Sequence, residues 1–139
     1  MGRCSLPKAY PEKDVASEPL IAVVDDDLSF REALVGMMGS FGFRAEAHAS
    51  GRDVLDSDRL ENFSLFVLDV QMPEMSGLEL HREIRQLGLG APIIFLTGSR
   101  DKAIKAKAVA MGAWAFLDKP FDGDELLACL QSALTAGHA

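Results

Sequence analysis

The chain has little cysteine and an excess of acid over base. Only two of its 139 residues are cysteine, Cys4 and Cys129, and they share no motif spacing. That excludes a disulfide-built scaffold and a thiolate metal cluster, and it sets a reduced, cytoplasmic location as the expectation. Lys and Arg number 14 against 21 Asp and Glu, a formal net charge of -7. A chain with that balance lacks the basic patch a nucleic-acid surface needs, so no nucleic acid is expected to contact it. No apolar run is long enough to span a membrane. Met1 to Pro19 lacks the apolar core of a secretory signal. The three histidines, His48, His81 and His138, have no metal-ligand spacing, and surface positions are expected for them.

What is present is enough for one domain with a sizeable core and not two. The composition, 48% hydrophobic and 25% charged, is that of a globular protein. Residues 1–18 are polar and interrupted by Pro7 and Pro11, and are read as a flexible leader. A domain over 19–136 and a tail over 137–139 complete the expected division. Apolar, strand-like runs fall at 20–24, 65–68, 93–96 and 114–117, with a weaker alternating one at 43–47. Helical segments separate them. Phe30, Leu34, Met37, Met38 and Phe41 recur at helical spacing before Gly42. Ser50 and Ser76 can cap the second and third helices, with Asp53 and Glu79 three residues on. A fourth, alanine-rich helix is expected from about Arg100 to Met111, and a fifth from about Asp122 with Leu126, Leu130, Ala133 and Leu134 facing inward. Short apolar runs alternating with helices predict an α/β fold, a five-stranded parallel sheet covered by five helices on both faces.

The notable polar residues fall where those runs end. Asp25 and Asp26 follow the first strand, Asp69 the third, Thr97 the fourth and Lys119 the fifth. In open parallel sheets, ligands bind beyond the carboxyl ends of the strands. Singly, each residue has a commoner explanation: a cap, a turn, a solvated lysine. Asp27 is expected to be such a cap. Together they describe one crevice holding several carboxylates, a hydroxyl and an ammonium. Clustered carboxylates repel and call for a hard divalent cation such as Mg²⁺. With a cation present, Asp69 can take a phosphoryl group, and a threonine hydroxyl can bond the new phosphoryl oxygens. Cys129, Met37, Met38, Met72 and Met75 read as packing residues.

The segments Val23-Val24-Asp25-Asp26-Asp27, Leu68-Asp69-Val70-Gln71-Met72-Pro73-Glu74-Met75-Ser76-Gly77, Leu96-Thr97-Gly98 and Phe116-Leu117-Asp118-Lys119-Pro120-Phe121 together closely resemble the receiver domains of two-component response regulators. The resemblance covers roughly 19–136. It implies a flavodoxin-like, three-layer α/β/α fold with strand order 2-1-3-4-5. It implies Asp69 as phosphoacceptor, with Asp26 and Asp69 on Mg²⁺ (or Mn²⁺) directly, Asp25 through water, and the backbone carbonyl of Gln71 completing the set. Lys119 would pair with Asp69 and then with the phosphoryl group, Thr97 would be the switch hydroxyl, and Phe116 the switch aromatic. The Lys119–Pro120 bond would be cis. Gln71 and Ser99 stand where this family tunes phosphoryl lifetime. Gly98 and Phe121 most resemble receivers joined to helix-turn-helix transcription domains. The implied partners are a sensor histidine kinase or a histidine phosphotransfer protein, and a second copy docked through the fourth helix, fifth strand and fifth helix. The implied protein is a signalling phosphoacceptor and not an enzyme acting on other substrates. A phosphorylation-independent interaction module is the alternative, and it would be favoured by loss of an acid, Thr97 or Lys119. A hydrolase using an aspartyl phosphate would want a second aspartate where Gln71 stands, and a flavin site would not tolerate Asp25-Asp26-Asp27 against phosphate.

Overall fold

Leu20–Val24 (β1), Leu65–Asp69 (β3) and Ile93–Thr97 (β4) are buried at every position, which is why they read as continuous apolar runs and not as alternation. The computed structural model describes residues 19–98 and 102–137. The leader over 1–18, Cys4, Ser99, Arg100 and His138 lie outside the described residues. Arg44–His48 (β2) and Ala115–Asp118 (β5) complete one parallel sheet in the order β2-β1-β3-β4-β5. The helices are α1 (Leu28–Ser40), α2 (Gly51–Leu55), α3 (Gly77–Gln86), α4 (Lys102–Ala110) and α5 (Gly123–Gly137), with a short 3-10 turn at Leu60–Asn62.

Side chains alternate across the strands, so each buried strand feeds two cores. Ile21, Val23, Leu65, Val67, Ile94 and Leu96 pack with Leu34 and Met38 of α1 and with Leu126, Leu130, Ala133 and Leu134 of α5. Ala22, Val24, Phe66, Leu68, Ile93 and Phe95 pack on the other face with Val54 of α2, Leu80 and Ile84 of α3 and Ala108 of α4. The result is the expected three-layer α/β/α arrangement. Each fully buried aliphatic side chain contributes roughly 2 kcal/mol by leaving water. Val24 pairs with Leu68 across β1 and β3, which brings the ends of those two strands level.

The local signals act as the residues predict. Ser76 and Glu79 form a reciprocal capping box, at 3.1 and 2.9 Å. Ser50 caps α2 and Asp27 caps α1. Gly42, Gly88 and Gly112 end three helices with positive φ, which glycine adopts without a Cβ penalty. The Lys119–Pro120 bond is cis. Cys129 is half-buried, and burial raises its thiol pKa.

Two histidines depart from expectation. His48 and His81 are buried, not at the surface. His48 ends β2, packs edge-on to Phe63 and bonds the Asp53 carboxylate through Nδ1 at 2.8 Å. His81 belongs to the buried stripe of α3, Gly77, Leu80, His81 and Ile84, and both its ring nitrogens are buried with no hydrogen-bond partner. Burial, helped by the Arg85 charge, holds His81 below its ordinary pKa of 6.5. The unfolded chain therefore takes up the proton first. Stability present above that ordinary value is lost as pH falls through it. His81→Phe removes the titrating group, so its stability advantage over the parent is expected to widen between about pH 7.5 and about pH 5.5. Urea titrations of both proteins measure this, and a pH-independent gap would show that the imidazole is not held neutral.

Candidate functional site

β1 and β3 end side by side, and α1 and α3 start just beyond them. That places Asp25, Asp26 and Asp69 with one carboxylate oxygen each within 4.8 Å of one another. Asp25 and Asp69 are buried and Asp26 is exposed. Asp25 is fixed at both ends. Its Oδ1 accepts the Asp27 N–H at 2.9 Å, and its own N–H donates to the His48 carbonyl at 3.2 Å. Asp69 Oδ1 accepts the Gln71 N–H at 3.2 Å. Burial, then the Asp25 charge, raises the Asp69 carboxyl from 3.8 to about 6, against the opposing pull of Lys119.

Lys119 reaches in from the end of β5. Its Nζ lies 2.9 Å from Asp25 Oδ2 and 3.7 Å from Asp69 Oδ2. The partner expected for it was Asp69; Asp25 is nearer. The ammonium also sits 4.1 Å from the centre of the Phe30 ring, and Phe121 packs edge-on to Phe30. Phe30 reads in the sequence as one more inward residue of α1, and its helical spacing carries no sign of this contact. The Lys119 N–H donates to the Thr97 carbonyl at 2.7 Å. Thr97 is buried at the end of β4, one residue past the partner of Asp69. Phe116 lies outside this cluster. It stacks on Phe95 at 5.6 Å, and Phe95 meets His81 edge-on at 5.7 Å.

The loop between β3 and α3 folds tightly over the site. Glu74 adopts φ 68°, which non-glycine residues seldom take, and the Met75 N–H donates to the Pro73 carbonyl at 2.7 Å. The Gly77 N–H donates back to the Val70 carbonyl at 3.0 Å.

Three carboxylates face one ammonium, so the cluster carries an uncompensated negative charge. An all-oxygen donor set of that charge fits a hard divalent cation. The model of the response regulator receiver domain matches residues 21–131.

The chain belongs to the response regulator receiver family.

This receiver is 37% identical to the response regulator protein TodT of Pseudomonas putida over 138 residues, 94% of this chain and 60% of TodT. It is 35% identical to the transcriptional regulatory protein FixJ of Azorhizobium caulinodans over 82% of this chain and 54% of FixJ. The chain thus spans little more than half the length of these curated relatives. Among solved structures, the response regulator StyR superposes with a TM-score of 0.80 at 36% identity, covering 87% of this chain and 61% of that one. The chemotaxis protein CheY4 of Vibrio cholerae gives 0.78 at 31% identity, covering 84% of this chain and 99% of that one. As a receiver the chain is a signalling phosphoacceptor and not an enzyme. No helix among the described residues is long and apolar enough to cross a membrane.

Proposed function

We propose that Asp69 accepts the phosphoryl group, drawn from a phosphohistidine on a sensor histidine kinase or a phosphotransfer protein, and that the receiver does so in the cytoplasm. The observation that supports this most directly is the setting of Asp69. It is buried, its carboxyl is raised to about 6, and it faces an ammonium. Above that pKa it is an anion of increased basicity, suited to attack on phosphorus. One P–O bond forms as the P–N bond to histidine breaks, and the leaving imidazole takes up a proton.

Asp25, Asp26, Asp69 and the Gln71 carbonyl would hold Mg²⁺ (or Mn²⁺), which when bound offsets the charge of the carboxylates and of the incoming phosphoryl group. Lys119 neutralises part of the charge before transfer, and afterwards moves its ammonium from the carboxylates to a phosphoryl oxygen. Phe30 limits where that ammonium can go. The Thr97 hydroxyl gains a phosphoryl acceptor only after transfer, and its movement gives Phe116 room to repack against Phe95.

The output is a changed α4–β5–α5 face, through which copies or partners dock. Two exposed hydrophobic side chains, Val109 within α4 and Trp114 just before β5, belong to this part of the chain. The Lys105–Asp118 ion pair, at 2.8 Å, ties α4 to β5 there. The resemblance of Gly98 and Phe121 suggests an output in transcription, as in relatives named transcriptional regulators.

Labelling with a small phosphodonor such as acetyl phosphate, in the presence of Mg²⁺, tests the assignment. Asp69→Asn is expected to lose incorporation by at least about a hundredfold, since the amide is no nucleophile for this transfer. Full labelling of that variant would overturn the reading.

A further inference from the structure

A second site stands apart from the acidic cluster, on the outer side of α3. His81, Arg82, Arg85, Gln86 and Met111 line a cavity of about 330 Å³ between α3 and the end of α4. A space of that size accommodates a small organic molecule. Its charge is unusual for this chain. Two guanidinium groups stand together in a protein of net charge -7. Arg82 makes no ion pair among the described residues. Arg85 spends one N–H on the Leu89 carbonyl, at 2.8 Å, and keeps its remaining donors. His81 adds the second observation. It is 1% exposed, and neither ring nitrogen has a partner. A buried polar group left unbonded destabilises the fold, so such groups call for a reason.

We infer that this cavity binds a small amphipathic carboxylate, an aromatic or aliphatic body of roughly ten heavy atoms bearing one acid group. The carboxylate matches the planar fork of Arg82 or Arg85, which favours two-point bonding to two oxygens. The His81 ring forms part of the wall. The Met111 thioether and the hydrocarbon stems of the two arginines cover the apolar body. Inorganic phosphate is a poorer match, because it wants more donors and leaves the hydrocarbon wall wet. The inference is independent of the role given to Asp69, and binding is measured on unphosphorylated, metal-free protein.

The test is an NMR titration of the whole chain with phenylacetate, following the His81 ring and the Met111 methyl. Saturable shifts at both residues are expected. Phenylacetamide, which keeps the body and loses the charge, and acetate, which keeps the charge and loses the body, should each bind at least about tenfold more weakly. Arg82→Gln changes an exposed residue and leaves the core intact, and it should weaken phenylacetate about tenfold. Absence of saturable shifts up to ~10 mM overturns the inference. So does equal affinity for the amide, equal affinity for acetate, or an unchanged affinity in Arg82→Gln.

Discussion

Replacing Gly77 with alanine is expected to lower the unfolding free energy by about 3 kcal/mol. In most helices the same change stabilises, by up to about 1 kcal/mol, because alanine is the better helix former. Here the sign reverses. Gly77 opens α3 and is folded back on the end of β3. A Cβ at this position overlaps the Asp69 carbonyl oxygen and comes within 3.0 Å of both the Asp69 carbonyl carbon and the Val70 Cα. All three atoms belong to the backbone, so no rotamer relieves the clash. Either the Gly77–Val70 hydrogen bond lengthens or the end of β3 shifts, and the second displaces Asp69 itself. Labelling of Gly77→Ala should therefore fall along with stability. Gly51 is the control. A Cβ there meets the Met75 sulfur at 2.6 Å, but that is the end of a flexible side chain. Gly51→Ala is expected to change stability by less than about 1 kcal/mol. Urea unfolding of both variants decides the matter, and equal effects would show that the loop after β3 yields easily.

Asp69→Asn should make the metal-free protein more stable at neutral pH while ending its labelling. The Asp69 carboxyl is raised from 3.8 to about 6. Burial and the Asp25 charge both disfavour its ionised form. Between those two values the folded chain holds a proton that the unfolded chain has released. Stability is therefore greatest below the lower value and falls as pH rises through the window. Two pKa units correspond to roughly 2–3 kcal/mol. Asparagine does not ionise, so the gap between Asp69→Asn and the parent should open between about pH 4 and about pH 6 and stay open above it. Measured in chelator, a gap that does not change with pH would mean that the carboxylate is better solvated than its burial implies. Adding Mg²⁺ at neutral pH should narrow the gap, because the parent keeps all its acidic ligands and gains more from the cation.

The sequence carried much of this because full burial leaves a plain trace. Runs such as Leu20-Ile21-Ala22-Val23-Val24 must be apolar at every position when helices cover both faces of a parallel sheet. Caps are equally legible, since Ser76 and Glu79 act on neighbours three residues away. Strand order is different. Nothing in the spacing of the runs says that β1 pairs with both β2 and β3, and the order came from the resemblance. Contacts between distant elements were also hidden. Lys119 was expected against Asp69, but its ammonium lies closer to Asp25, and the Phe30 ring confines it from α1. His81, expected at the surface for want of metal-ligand spacing, is buried because Leu80, His81 and Ile84 fall on one helical stripe. The positive φ of Glu74 has no local cause in its residue type, because the tight fold of the loop imposes it.

The two outer strands carry a consequence for how copies of this protein can meet. β2 and β5 are the edges of the sheet, and an edge strand offers backbone donors and acceptors to any other strand. Both are blunted here. β2 bears exposed Arg44 and a Glu46 held by Arg59, and β5 is only four residues long and ends in Asp118, paired with Lys105. Charges and short length disfavour the growth of a continuous sheet from molecule to molecule. At high concentration this receiver should form no fibrils, and any self-association should be reversible.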